Sequence, residues 1–131
     1  EEYFSKNPLD AAHTEEETSA ITTTQMVELE NKYAGLWQKE IESGYQRLLS
    51  AASSEEQATI EQEQMKWDSE RQSKLDEIAQ DAQQNGGTMA GVLSASNTMT
   101  FYRERAKELY EKLYVYDPAY SYAYESGQAK G

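Results

Sequence analysis

Carboxylates dominate the residues that could do chemistry: the 131-residue chain carries 24 Asp and Glu against 12 Lys and Arg, one His and no Cys. Carboxyl pairs roughly 5 to 9 Å apart are the machinery of glycoside hydrolysis. With so many acids, such pairs arise anywhere, and their presence selects no chemistry. The single His, His13, lies in an amino-terminal stretch without a sustained apolar period. A His-based triad or an HExxH zinc site therefore has no place on the helices that follow. No GxxxxGKS/T phosphate loop and no D-x-D-x-D-G calcium loop occurs. Gly86-Gly87 is not GxGxxG and follows a helical pattern, so it reads as a helix stop. Without Cys there are no disulfides and no thiolate metal ligands. The expectation is a binding protein, not an enzyme, with no cofactor and no metal.

Binding chemistry has more to work with. A formal net charge of −12 argues against nucleic acid, since phosphate binding needs a basic surface that releases counterions. It favours a cationic protein partner, or simply solubility. The excess is uneven: residues 55–84 hold nine acids against three bases, whereas residues 89–131 hold five of each. Glu56, Glu63, Glu70 and Glu77 fall at seven-residue spacing, which on a helix makes one stripe beside the Trp67 face. The stripe is either a solvated face, serving bases such as Lys107 and Lys112, or a docking strip for a basic protein; Glu63, Glu70 and Glu77 are its candidate contacts.

Arg71 comes one turn after Trp67 and only about 40° around the helix, so its guanidinium points along the apolar side. Arg103 also falls within the expected inward arc of its helix. Both need a carboxylate or carbonyl partner, because an unpaired buried charge costs several kcal/mol. Arg105, on the other side, is expected to be exposed. Trp37 and Trp67 read as core, and the Tyr-rich carboxyl end suits packing and recognition equally.

The elements that must position these residues are helices. Residues 1–23 contain Asn7-Pro8, Glu15-Glu16-Glu17 and a Thr tract and carry six acids against one Lys, which reads as a flexible acidic leader. From Gln25, Met26, Leu29, Tyr33, Trp37, Ile41, Gly44 and Leu48 recur at three- and four-residue steps, predicting a helix over about 24–52. Gly44 marks either a close helix contact or a weak point. Ser53-Ser54-Glu55-Glu56 is a capping box for a second helix that stops at Asn85-Gly86-Gly87. Thr88 is the expected cap of a third, ending near Tyr114 to Asp117, before Pro118, with a Tyr-rich tail over 115–131 that is either simply extended or a turn laid back over the bundle. No apolar run approaches the roughly 20 residues of a bilayer-spanning helix. Three amphipathic helices joined by short turns predict an all-α, up-down-up antiparallel bundle spanning residues 24–114.

Several segments carry a resemblance. Ile41-Glu42-Ser43-Gly44-Tyr45-Gln46-Arg47-Leu48-Leu49 resembles an L-N-x-x-Y-x-x-L-L segment. Gln64, Trp67 and Arg71 match Q-x-x-W-x-x-x-R, and Gly86-Gly87-Thr88 matches a Gly-Gly-Ser/Thr turn. Phe101 to Leu109, with Arg103 and Arg105, resembles L-T-x-E-R-T-x-E-L. Together these resemble the LprI-like lysozyme-inhibitor family of bacterial secreted or lipid-anchored envelope proteins. Its members usually carry Cys pairs that tie the helices, and this chain has none. The resemblance implies an extracytoplasmic helical domain whose partner is a protein, a basic lysozyme among the candidates, with Gln64, Trp67, Arg71, Gly86, Gly87, Arg103 and Arg105 as structural motif positions. A chain starting at Glu1 without Met is what a processed protein would look like, with a lipid anchor expected at the amino end in tethered members. An envelope interaction module without inhibitory activity is the other reading.

Overall fold

Each α-helix start in the chain is written into the residues before it, with one exception. The computed structural model describes residues 4–124, and the regular structure within them is four α-helices and two short 3-10 turns, with no strand. Asn7 caps α1 (Pro8–Glu17), its side-chain oxygen accepting from the Asp10 amide at 2.7 Å, with Pro8 at the first helical position, where its missing N–H costs nothing. Thr22 and Gln25 form a reciprocal capping box for α2 (Thr23–Ala51), and Ser53 and Glu56 form the expected one for α3 (Ser54–Asn85). The exception is α4 (Ala90–Tyr116). Thr88, its expected cap, lies inside the 3-10 turn Gly87–Met89, and no side chain caps the helix.

The glycine pair does steric work at this corner. Gly87 has φ +55°, and a Cβ on Gly86 would sit 2.6 Å from the Ala82 carbonyl oxygen and from the Ala90 Cα.

The three long helices do not contribute equally. α2 and α4 run in the same direction: Val27 lies beside Gly91 near their starts and Gly44 beside Leu109 and Tyr110 near their ends. Between them they bury Tyr33, Trp37, Ile41 and Leu48 against Met99, Tyr102, Ala106, Leu109, Tyr110 and Leu113. α3 returns antiparallel, meeting α4 through Gln64 with Arg105 and Trp67 with Phe101, yet fully buries only Ile60, Gln64 and Ala82. Gly44 is a close helix contact, and a Cβ there would find ordinary van der Waals distances of 3.5 to 3.6 Å.

The expectations for the two ends of the chain fare differently. The flexible leader is instead packed, with Phe4 and Leu9 buried to 2% and 0% exposure and α1 lying against α2. Phe4 meets Trp37 at 5.6 Å between ring centres, and the Arg103 guanidinium lies 5.0 Å over the Phe4 ring. The anchors are few because half of the inward stripe is polar: His13 and Glu16 bond to Glu30 and the Tyr33 hydroxyl of α2, and apolar periodicity cannot register such pairs. In the Tyr-rich tail, Tyr114 and Tyr116 are helical. A turn over Asp117–Tyr120 then leads the chain back over the helices, burying Tyr124. Residues 125–131 of that tail lie outside the described residues. Among the described residues no helix is long and apolar enough to cross a membrane.

Candidate functional site

Four of the singled-out residues converge where α2, α3 and α4 meet. Gln64, Trp67 and Arg71 lie at three- and four-residue steps and therefore share one face of α3. With Glu42 and Tyr45 of α2, Asp68 of α3 and Tyr102 of α4 they line a cavity of about 190 Å³. Trp67 is half-buried, not core: its ring stacks on Phe101 at 5.4 Å and 14° between planes, and meets Tyr102 edge-on at 6.2 Å. The Arg71 and Arg105 guanidinium groups lie 5.5 and 5.7 Å from its ring centre, within cation–π range.

The two arginines exchange the roles expected of them. Arg105 is 7% exposed; its Nε and Nη2 donate to the Gln64 side-chain oxygen at 3.1 and 2.6 Å, and its Nη1 to Glu108 at 2.9 Å. Arg71 leaves 42% of its side chain exposed and finds Asp68 only at 4.0 Å, beyond hydrogen-bond reach. The physical reason is that α4 packs against two neighbours, α2 on one side and α3 on the other, so it buries a wider arc than one apolar stripe and takes Arg105 inside. α3 lies at the edge, and 40° of rotation carries Arg71 to the rim.

Arg103 has the partner its position demanded, but α1 supplies it. Asp10 accepts from Arg103 Nε at 2.9 Å and Nη2 at 2.6 Å, a bidentate pair. Burial pushes the Asp10 carboxyl up, and the bonds from Arg103 and Asn7 more than offset it, holding the carboxyl below its ordinary value. Gly86 and Gly87 lie at the distant α3–α4 corner, and Arg103 belongs with α1; neither joins the Trp67 cavity.

The acidic stripe is exposed throughout. Glu63 pairs with Lys112 of α4, Glu77 lies 3.7 Å from Lys74 on its own helix, and Glu56 serves the α3 cap. Glu70 borders a second cleft of about 290 Å³ beside Trp67 and Phe101. Tyr45 sits in the field of Glu42, Glu61 and Asp68, and its hydroxyl is pushed above its ordinary value by burial and then by those charges.

Sequence reasoning missed Glu40, which is 1% exposed on α2. It accepts from the Tyr110 hydroxyl at 2.6 Å and from the Ala123 and Tyr124 amides at 3.0 and 2.6 Å, tying the tail to the core. Its signal was present: a Glu three residues after Trp37 and one before Ile41 falls inside the apolar stripe. Burial and the Glu40 bond raise the Tyr110 hydroxyl above its ordinary range. His13 does reach the helical core, because the leader is packed. Its Nε2 bonds to Glu30, which is 6% exposed, and its Nδ1 lies 3.6 Å from Glu17. Among the described residues these three offer donor atoms close enough together to hold a metal ion, and the His13 imidazole already hydrogen-bonds Glu30.

Compared with known proteins, the chain matches one family model, described as lysozyme inhibitor LprI, over residues 14–109. No curated protein and no solved structure matches it.

Proposed function

The chain belongs to the LprI lysozyme inhibitor family, and from that premise we propose that it is an extracytoplasmic bacterial binding protein that inhibits a lysozyme-type muramidase by occluding its cleft. The family match over residues 14–109 carries the reading. Two features support it. The acids of α3 face solvent beside the half-buried Trp67, the pairing of charge with a rigid aromatic that protein recognition favours. Many muramidases are basic, and a partner of net −12 gains steering and orientation toward them.

The reading places the protein in the cell envelope or outside the cell, where it would meet a muramidase. The test is a cell-wall turbidity assay with a basic c-type lysozyme, with and without the protein, at two salt concentrations. Inhibition that weakens as salt rises is expected, because surface charges are screened within roughly 10 Å at 0.1 M salt. Undiminished lysis at a large molar excess of the protein would refute it, and clean binding to another envelope component in its place would favour the interaction module.

A further inference from the structure

An open groove lies away from Trp67, at the end where α2 finishes, α3 begins and α4 finishes. It measures about 470 Å³. Its floor is Leu48 and Ile60, and its apolar rim is Val115 and Tyr116, which stand 77% and 39% exposed although both belong to the last turn of α4. Exposed large apolar side chains bordering a groove are unfavourable in water and mark contact surfaces.

The opposite rim is acidic. Glu55, Glu56 and Glu63 line it against the single ammonium of Lys112. Glu63 is committed to Lys112, and Glu56 to the α3 cap and the Tyr116 hydroxyl. Glu55 makes no hydrogen bond or ion pair among the described residues. The groove therefore offers an apolar floor beside an uncommitted carboxylate, with a local excess of negative charge.

That combination selects its occupant. An anionic lipid surface would be repelled by the rim. A second copy of the chain would bring its own excess of twelve negative charges and be repelled. We propose that this groove is the primary docking site for the basic partner, taking a surface segment that presents one apolar side chain flanked by Lys or Arg. The apolar side chain enters between Val115 and the Leu48–Ile60 floor, and the cation pairs with Glu55. This deepens the muramidase-inhibitor reading and rests on it. It centres the interface on the start of α3, where Glu55, Glu56 and Glu63 line the groove.

The experiment uses the full chain and a basic c-type lysozyme, with association and dissociation rates measured at low and moderate salt for the wild type, Val115→Asp and Glu55→Lys. Val115 is mostly exposed and Glu55 carries no internal bond, so thermal melts should show both variants folded, lowered only by the small cost of a cation at the α3 start and an anion at the α4 end, about 0.3–1 kcal/mol each. Val115→Asp should raise the dissociation rate tenfold or more, and Glu55→Lys should slow association several-fold at low salt. Rates unchanged in both variants, with inhibition intact, would overturn the groove and leave the inhibitor reading standing. A wild type that does not bind the lysozyme would overturn both. A wild type that is a dimer, made monomeric by Val115→Asp, would assign the groove to self-association and overturn the proposal.

Discussion

Two guanidinium groups reach the Trp67 ring, but only one is buried, and their substitutions should differ accordingly. Replacing Arg105 by Ala removes both donors from the Gln64 oxygen and leaves a polar atom buried without a partner, at a cost of about 1–3 kcal/mol. Replacing Arg71 by Ala takes away a half-exposed side chain with a 4.0 Å ion pair, and stability should change by about 0.5 kcal/mol or less. Thermal melts of the two variants decide between this and the opposite order that helix geometry alone suggests. Asp10 gives a pH dependence of definite sign. Its folded value is depressed, so its stabilisation is complete above the unfolded value of 3.8 and is lost as pH falls through the lower folded value. Asp10→Asn should lower the melting temperature by a few degrees at neutral pH. The gap from the wild type should close below pH 3.8, and a constant gap down to pH 2 would contradict the role given to the Arg103 pair.

At the scale of elements, the amino-terminal segment and the tail are both held by buried polar anchors. Deleting residues 1–20 removes Phe4 and Leu9 from the core. The loss should reach at least the 3 kcal/mol or so typical of truncating one buried aromatic side chain. An unstructured leader would instead leave the melting temperature within a few degrees, and differential scanning calorimetry separates the two. Glu40 receives three donors on two oxygens. In Glu40→Gln an amide nitrogen must face at least one donor. The expected result is a molecule whose helices remain folded while the Ala123 and Tyr124 amides exchange at least tenfold faster. The α3 start was legible in the sequence because its capping box is local. These two anchors were not, because Glu40 and Ala123 lie 83 residues apart and Asp10 and Arg103 lie 93 apart.

At the scale of the whole molecule, charge governs how a basic partner arrives. Glu63→Gln, Glu70→Gln and Glu77→Gln together remove three exposed negative charges while keeping shape, so the fold should be nearly unaffected. Association with a basic lysozyme should slow several-fold at low salt, dissociation should hardly change, and the remaining rate should depend less on salt. Unchanged association kinetics would reduce the stripe to a solvated face. The groove predicts a further asymmetry: within this triple variant, restoring Glu63 should recover more of the rate than restoring Glu77, since Glu63 alone of the three lines it.

The sequence by itself determined that the chain is helical, where the long helices begin and end to within a residue or two, and which family it resembles. Those properties depend on apolar period, capping residues and glycine stops within a few residues of each other, as at Ser53 to Glu56 and Gly86 to Gly87. Only the tertiary structure decided that Arg105 is inside and Arg71 at the rim, that the leader and the tail lie along one side of the α2–α4 pair, and that Val115 and Glu55 face one groove. Each depends on how far a helix is rotated against neighbours supplied by remote parts of the chain, and an error of 40° in that rotation is enough to exchange a buried arginine for an exposed one.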